Sequence, residues 1–391
     1  MAHTSSLPTT NPASIGLLPD RAQALLDVLR ERVDQQHIPG AVALIARQGR
    51  IGVFEAVGQQ DPAAGTPMRA DSIFRIYSMT KPLVSVAVMM LVERGRLLIS
   101  DPVGKWLPEY AQQAVLGASG LIPAWQPATV QDLLRHTAGL TYEFLGESPV
   151  QREYDKVQIA SRKRSNEDFS RTLAGIPLQF QPRSCWAYSR ATDVLGRLVE
   201  VVSGQTLGTF LQREIFEPLG MVDTGFAVPP AQQHRIAEAF AHDPDGGVPM
   251  KLINPREVPA LESGGGGLMS TAMDYARFLQ CLRNGGELDG YRLLGRHTLA
   301  FMTADHLGDI PIDGGLLPPG HGFGLGFAVR LATGESPVPG SVGTYHWSGI
   351  GGTSFFVDPA QDLYALLLTQ APNQRDHYRQ LFRNLVYAAL D

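Results

Sequence analysis

Residues 74–95 read FRIYSMTKPLVSVAVMMLVERG, and within this stretch a mixed composition changes into a long apolar run. Ser78 stands three residues before Lys81, and residues at positions i and i+3 of a helix share one face. We therefore predict a helix that begins at Ser78 and ends at Gly95, with the serine and lysine side chains next to each other. The apolar side of this helix would carry Val84, Val88, Leu91 and Val92.

Ser78 and Lys81 have the residue types of a nucleophile and its proton acceptor. The N-terminus of a helix carries a partial positive charge, which would stabilise an oxyanion that forms beside Ser78. An exposed lysine, with a pKa of about 10.4, is a poor base at neutral pH, but burial lowers its pKa into a useful range. Pro82 disfavours helical geometry at Lys81, although proline is tolerated in the first turn of a helix. The alternative is a serine that caps the helix and a lysine that points into solvent.

Strand patterns occur towards both ends of the chain. A helix predicted over residues 19–35, with Asp20 as its cap, precedes two short β-rich runs, 41–47 and 51–57, which form a hairpin pattern. Further strands are predicted within 322–331, 345–359 and 362–370, followed by a last helix over 374–389.

The region between these strands has mostly helical periodicity. The stretch 129–140 predicts a helix capped by Thr129, and the stretch 189–204 predicts a helix that ends on Gly204. We therefore expect an α+β fold with an antiparallel sheet flanked by N- and C-terminal helices. The predicted division is an α/β domain from 1–81 and 291–391, an inserted helical domain at 82–290, and an active site in the cleft between them.

Composition excludes several classes of function. The chain has 391 residues, 44% of them hydrophobic, and a net charge of −5, which offers no basic footprint for nucleic acid. No apolar run is long enough to span a membrane. Residues 1–20 lack the basic and apolar segments of a secretory signal, so we expect a cytoplasmic protein. Cys185 and Cys281 are too few for a disulfide framework, and both are interpreted as small buried hydrophobic residues.

Two later segments carry further candidate residues. Tyr188 lies just before a predicted helix, and a tyrosine near a lysine can act as a base towards a serine and then as an acid towards a leaving group. Trp347, Ser348 and Gly349 lie on a predicted strand that runs into glycines, where a ligand can approach the backbone and an N–H can stabilise an oxyanion. Taken singly, the alternatives are a buried aromatic residue and a bulged strand.

In this order the three segments resemble the Ser-x-x-Lys, Tyr-x-Asn and Lys-Thr-Gly elements of serine β-lactamases and penicillin-binding proteins. The resemblance is strongest to the class C β-lactamase-like branch and, within it, to the family VIII carboxylesterases. It covers most of the chain, and 133–140 and 262–280 are similar to two further family segments. The resemblance implies a β-lactamase-like fold of a sheet and an inserted helical domain.

The resemblance also implies roles for single residues. Ser78 would be the acylated nucleophile, Lys81 its proton acceptor or modulator, and Tyr188 the partner general base and acid. The backbone N–H groups of Ser78 and Ile350 would form the oxyanion hole. The substrate would be bound by Trp347, Ser348, Gly349 and Arg190.

The chain departs from the β-lactamase pattern at two positions. Arg190 stands where that group has asparagine, and Trp347 stands where it has the lysine of Lys-Thr-Gly. Those positions help to hold the amide and carboxylate of a β-lactam, whereas tryptophan suits an apolar acyl or alkoxy group. The resemblance therefore implies a serine carboxylesterase for short- to medium-chain esters, with weak β-lactam hydrolysis at most.

Other readings of the sequence are weaker. No serine has glycine at both −2 and +2, which argues against an α/β-hydrolase nucleophile elbow, and His136 is a poor candidate for a triad base. The histidine spacing predicts no metal, and we expect no cofactor. The glycines of 263–271 are expected to pack closely near the cleft, and 161–168 is expected to be a solvated loop or lid.

The expected partner is a small-molecule ester, and the sequence does not predict the oligomeric state. The alternative functions are a β-lactamase or D-amino-acid peptidase, an acyltransferase on the same scaffold, and a binding protein that has lost catalysis.

Overall fold

The computed structural model describes residues 6–247 and 249–391. The expectation of no secretory signal concerns residues 1–20, and residues 1–5 of that segment lie outside the described part of the chain. Among the described residues, no helix has both the length and the apolar character needed to cross a membrane.

The main sheet has eight strands, all antiparallel to their neighbours, in the order β10-β11-β12-β13-β14-β1-β2-β3. Three two-stranded ribbons, β4-β7, β5-β6 and β8-β9, lie outside it. The strands are β1 Gly40–Arg47, β2 Arg50–Asp61, β3 Thr66–Pro67, β4 Phe74–Arg75, β5 Ala114–Gly117, β6 Gly120–Pro123, β7 Met269–Ser270, β8 Glu287–Leu288, β9 Tyr291–Arg292, β10 His321–Phe323, β11 Ala328–Arg330, β12 Tyr345–Ser348, β13 Ser354–Asp358 and β14 Leu363–Thr369.

Most helices lie between the two groups of sheet strands along the chain, as the periodicity predicted. They are α1 Pro19–Asp34, α2 Thr80–Glu93, α3 Val130–Leu134, α4 Pro149–Lys156, α5 Asn166–Ala174, α6 Ala191–Ser203, α7 Leu207–Leu211, α8 Glu217–Leu219, α9 Ala272–Arg283, α10 Arg296–Met302 and α11 Arg375–Ala388. The predicted antiparallel sheet with flanking helices is confirmed, whereas the bounds of the inserted domain stay a prediction.

Both faces of the sheet are covered, as the burial of the side chains on both sides of its central strands shows. In β1 the side chains alternate: Ile45 belongs to a core with α1 and α11, whereas Leu44 belongs to the larger core that includes α2 and α9. The period of two in a strand produces this alternation. β1 pairs directly with β14, so the two ends of the chain meet in the middle of the sheet.

Several local predictions agree with the structure. Thr129 caps α3 in a capping box with Asp132, and α6 is followed by Gly204 in a left-handed conformation with φ of 73°. The predicted cap of α1 was wrong: Leu18 is its N-cap, and Asp20 lies inside the first turn after Pro19. Proline at the first helical position has no N–H that needs an acceptor, which explains the earlier start.

The helix predicted to begin at Ser78 begins later. Tyr77–Met79 form a 3₁₀ turn, and α2 starts at Thr80. Tyr77 has φ of 45°, a left-handed conformation that is unfavourable for a bulky side chain. The predicted apolar residues Val84, Val88 and Leu91 are buried, and so is every other residue from Thr80 to Leu91.

One other prediction becomes more specific, and two need correction. The strand pattern predicted within 322–331 corresponds to two short strands, β10 and β11. Cys281 is buried in α9, but Cys185 is partly exposed. The segment 161–168 is only partly a loop, since α5 begins at Asn166, and Arg162 donates hydrogen bonds to the carbonyls of Asn254 and Glu257.

Candidate active site

Ser78 and Lys81 lie side by side where the 3₁₀ turn joins α2. Lys81 Nζ donates a hydrogen bond to Ser78 Oγ at 3.2 Å. Ser78 is partly exposed, whereas only 1% of Lys81 is exposed. A substrate can therefore reach the hydroxyl while the amine remains sheltered from water.

Lys81 has two further hydrogen-bond acceptors. Its Nζ is 2.9 Å from Tyr142 Oη and 2.6 Å from the carbonyl oxygen of Gly265. Burial lowers the pKa of Lys81 to about 7; Asp193 raises this pKa and Arg190 lowers it further. A large fraction of Lys81 is thus uncharged at neutral pH and can accept a proton.

The glycine-rich segment 263–267 brings the Gly265 carbonyl to Lys81. A Cβ atom on Gly264 would lie 2.5 Å from the carbonyl oxygen of Thr192, and one on Gly265 would lie 2.6 Å from Asp193 Oδ2. Asp193 Oδ1 also accepts hydrogen bonds from the Gly265 N–H, at 3.0 Å, and from the Ser263 hydroxyl. The predicted close packing of this segment agrees with these contacts.

Arg190 was predicted to bind the substrate, but its guanidinium is already paired. It forms ion pairs with Glu143 and Asp193, and it lies 4.7 Å from the centre of the Tyr142 ring. Only 8% of Arg190 is exposed. This environment suits a residue that orients Asp193 and Tyr142 better than one that contacts a substrate.

Tyr188 faces the same lysine from the loop before α6. Lys81 Nζ lies 4.5 Å from the centre of the Tyr188 ring, and Trp347 Nε1 donates a hydrogen bond to Tyr188 Oη at 3.2 Å. Burial raises the pKa of Tyr188, while hydrogen bonding with Ser78 and Trp347 opposes this rise. The phenol therefore holds its proton at neutral pH, when much of Lys81 does not.

His136 lies close to Tyr188 and packs in an aromatic cluster. The centres of the two rings are 5.0 Å apart, and His136 Nδ1 is 3.1 Å from Ser189 Oγ. Burial lowers the pKa of His136 well below its usual value, so it is a neutral member of an aromatic cluster. This agrees with the interpretation of His136 as a poor candidate for a triad base.

The segment after β12 forms the opposite side of the site. Trp347 is only 7% exposed and packs between Tyr188 and Phe323. Ser348 is partly exposed, and Gly349 lies so close to the Ile76 carbonyl that a Cβ atom there would be 2.4 Å from the oxygen. Ile350 is 40% exposed.

The two N–H groups predicted for the oxyanion hole have no acceptor in the part of the chain that the structure describes. Across residues 6–247 and 249–391, neither the Ser78 N–H nor the Ile350 N–H donates a hydrogen bond. The Gly349–Gly352 loop packs on the segment before Ser78, since a Cβ atom on Gly351 would lie 2.7 Å from Tyr77 Cε2. Both donors are therefore available to a ligand.

Sequence reasoning missed several residues that hold the site together. Tyr142 and Asp193 both contact the lysine network, and Glu143 pairs with Arg190. Tyr142 lies two residues after the family-like stretch 133–140, which was its one available signal. Asp193 lies three residues after Arg190, a spacing that places the two side chains together on a helix.

A protein family model covers most of the chain. The Beta-lactamase family profile matches residues 25–388. The chain belongs to the beta-lactamase family. The sequence resemblance to this serine hydrolase superfamily is therefore confirmed.

Individual relatives narrow the comparison to its esterase branch. The chain is 36% identical to Esterase EstB of Burkholderia gladioli, over 94% of each chain. Its fold matches that of "EstCE1, a hydrolase with promiscuous acyltransferase activity", with a TM-score of 0.80, 29% identity and coverage of 94% of this chain and 98% of that one. Simvastatin synthase (LovD) of Aspergillus terreus matches with a TM-score of 0.79 and 25% identity, over 94% and 98% of the two chains. These relatives confirm the predicted likeness to family VIII carboxylesterases.

Proposed function

We propose that this protein is a serine carboxylesterase that hydrolyses short- to medium-chain esters through an acyl-enzyme on Ser78. The observation that carries the proposal is the contact of a partly exposed serine with a buried lysine whose pKa is about 7. The esterase relative and the esterase-like structural neighbour support the reaction class. The substrate would be a small ester, with no nucleic acid partner and no metal or other cofactor.

In the first step Lys81 accepts the proton of Ser78 while Ser78 Oγ attacks the ester carbonyl. Lys81 is favoured over Tyr188 as the acceptor, because burial lowers the pKa of the amine and raises that of the phenol. The tetrahedral oxyanion accepts hydrogen bonds from the Ser78 and Ile350 N–H groups, a form of stabilisation that acts mainly in the transition state.

Collapse of the tetrahedral intermediate breaks the bond to the leaving alkoxide. Tyr188 donates its phenolic proton to that oxygen and receives the proton held by Lys81, so both groups return to their starting states. Water then attacks the acyl-enzyme by the same steps in reverse and releases the acid. Lys81 Nζ lies 4.5 Å from the centre of the Tyr188 ring, so the two groups are neighbours in the site.

The preference for esters over β-lactams rests on two residues. Trp347 replaces a lysine with an apolar ring, and Arg190 is paired with Glu143 and Asp193. Neither residue offers a free cation for a β-lactam carboxylate. We expect a p-nitrophenyl ester to be hydrolysed far faster than a chromogenic cephalosporin, and the opposite order would favour a β-lactamase.

Acyl transfer is the second candidate function, because its chemistry differs only in the nucleophile that removes the acyl group. EstCE1 is described as a hydrolase with promiscuous acyltransferase activity. Added alcohol that captured the acyl group faster than water would favour this function. A cytoplasmic location is also proposed, with support from two cysteines that form no disulfide.

The test of the nucleophile is intact mass after incubation with an organophosphonate. We expect one adduct on the wild type and none on Ser78→Ala. Ser85→Ala is the matched control, since Ser85 is also on the α2 side of the site but is buried, and this variant should be labelled like the wild type. Equal labelling of Ser78→Ala, or no labelling of the wild type, would refute the proposed nucleophile.

A further inference from the structure

Arg379 reaches from the C-terminal helix α11 to the loop after β12. Its Nη2 donates a hydrogen bond of 2.8 Å to the carbonyl oxygen of Gly349. That carbonyl and the N–H of Ile350 belong to one planar trans peptide unit, so they point in opposite directions. A guanidinium that holds the oxygen therefore also determines where the Ile350 N–H points.

The same loop is tied to the nucleophile segment from its other side. The Gly349 N–H donates to the Thr353 carbonyl at 2.8 Å, and Thr353 Oγ1 donates to the Ile76 carbonyl at 3.3 Å. These bonds hold the loop against the residues before Ser78. They do not restrain the rotation of the Gly349–Ile350 peptide. That rotation is restrained by the two groups that donate to the Gly349 oxygen, which are Arg379 and, at 3.1 Å, the Gly352 N–H.

The charge of Arg379 is positioned to act on this peptide. Its side chain is 26% exposed, and its ion-pair partner Asp376 is largely in solvent, at 68%. Burial lowers the pKa of Arg379 to about 10, so it remains a cation at neutral pH. The cation also interacts electrostatically with Tyr188 and lowers the pKa of that phenol. A cation on a peptide oxygen polarises the unit and strengthens its N–H as a donor.

We propose that Arg379 is a positioning residue for ester hydrolysis, which holds the Gly349–Ile350 peptide so that the Ile350 N–H faces the oxyanion and strengthens this donor through its charge. The inference rests on the proposed function, because it requires a tetrahedral oxyanion at Ser78. In this role Arg379 is not a catalytic residue: it acts through the peptide, and its charge acts in addition on the Tyr188 phenol.

The experiment compares four variants with a p-nitrophenyl ester: Arg379→Gln, Arg379→Lys, Arg379→Ala and Arg375→Gln. Arg375 is the matched control, since it lies one turn earlier on α11, is near the same Asp376, and donates to the Pro372 carbonyl at 2.7 Å. Removal of an oxyanion donor itself lowers kcat about 10²- to 10³-fold, and loss of the group behind it should have a smaller effect. We expect Arg379→Gln to lower kcat about 10- to 100-fold with KM nearly unchanged.

Rescue separates positioning from general stability. Arg379→Lys keeps the charge and should retain more kcat than Arg379→Gln. Methylguanidinium added to Arg379→Ala should restore part of its kcat, whereas Arg375→Gln should match the wild type with or without it. The melting temperature of each variant, with and without methylguanidinium, shows whether a change in kcat only follows a change in stability. Arg379→Lys remains readable even if Arg379→Gln does not fold.

Two outcomes would overturn the inference. One is an Arg379→Gln variant that folds and has the same kcat as Arg375→Gln; the other is a rise in KM at unchanged kcat, which would mean direct contact with the substrate. Phosphonate labelling of Ser78 in the wild type is the independent check on the proposed function. Labelling with no effect of Arg379 would reject this inference alone, while absence of labelling would reject the proposed function itself.

Discussion

Lys81 is almost fully buried, yet its amine has three hydrogen-bond acceptors within 3.2 Å. Burial favours the neutral amine, and the three acceptors keep its nitrogen next to Ser78. The charges of Asp193 and Arg190 then adjust its pKa in opposite directions. The pH at which kcat/KM rises on the acid side of its profile should therefore depend on the charges of Asp193 and Arg190.

We expect Asp193→Asn and Arg190→Gln to move the acid limb of kcat/KM in opposite directions. Activity rises with pH as Lys81 loses its proton, near a pKa of about 7. Loss of the Asp193 carboxylate destabilises protonated Lys81 and moves the limb to lower pH. Loss of the Arg190 cation stabilises it and moves the limb to higher pH. The measurement is kcat/KM from pH 5 to 9.

Arg197→Gln is the control for this pair, because Arg197 is also on α6 but forms ion pairs with Glu167 and Glu200. Its acid limb should stay where the wild type has it. Limbs that move in the same direction for Asp193→Asn and Arg190→Gln would contradict the assignment of the limb to Lys81.

A second prediction at this scale concerns stability. The pKa of Lys81 is lowered from 10.5 to about 7 in the folded state. Between these values the unfolded state binds one more proton than the folded state, so the free energy of unfolding rises with pH. Relative to Lys81→Met, the wild type should gain up to about 1.4 kcal/mol per pH unit between pH 7 and 9.

Urea unfolding of both proteins at pH 6, 7, 8 and 9 tests this linkage. Below pH 7 Lys81 is charged in both states, so the difference between the two proteins should be nearly constant there. A difference that is flat from pH 7 to 9, or that changes in favour of Lys81→Met, would mean that the lysine is not displaced from its ordinary pKa.

At the level of elements, the 263–267 segment depends on backbone contact with α6. Gly264 leaves no room for a side chain, since a Cβ atom would lie 2.5 Å from the Thr192 carbonyl oxygen. Backbone atoms on both sides cannot move as a flexible side chain would. The close approach of α6 and this segment therefore requires glycine.

We expect Gly264→Ala to destabilise the protein by about 1–3 kcal/mol, the usual effect of overpacking. It should also lower kcat, because the shifted segment carries the Gly265 carbonyl that holds Lys81. Gly334→Ala is the control, since nothing lies within 4 Å of its Cβ position. Thermal melts and esterase assays of both variants are the measurement, and equal stability of the two would refute the steric account.

For the whole molecule, the antiparallel sheet joins the two ends of the chain. Phe382 of α11 is 2% exposed and belongs to one core with Leu25 of α1, Ile45 of β1 and Leu367 of β14. This core therefore forms only when N-terminal and C-terminal segments are folded together. Loss of packing in this core should therefore destabilise the whole sheet, including the Gly349–Gly352 loop after β12.

We expect Phe382→Ala to lower the free energy of unfolding by about 3–5 kcal/mol, the range for a buried phenylalanine. Phe301→Ala, at a residue that is 45% exposed, should change it by less than about 0.5 kcal/mol. Far-UV circular dichroism and loss of esterase activity should follow the same transition in Phe382→Ala. Two separate transitions would mean that the helical region folds independently of the sheet.

The sequence predicted the elements whose pattern is local. The hairpin β1-β2 and the helices α6 and α11 follow from periodicity and turn residues close to them in the chain. The 3₁₀ turn at Tyr77–Met79 could not be predicted from local pattern, because the left-handed conformation of Tyr77 is stabilised by tertiary contacts. One of these is the hydrogen bond from the Ile253 N–H to Tyr77 Oη at 3.1 Å.

The sequence by itself predicted much of the strand and helix pattern of this protein, because periodicity is local, and it predicted the family and the candidate residues Ser78, Lys81 and Tyr188 through three motifs in a characteristic order. Only the tertiary structure decided the burial that lowers the pKa of Lys81, the pairing of Arg190, and the contact of Arg379 with Gly349. Burial and electrostatic environment depend on segments that meet in space from distant parts of the chain, and no local spacing encodes them.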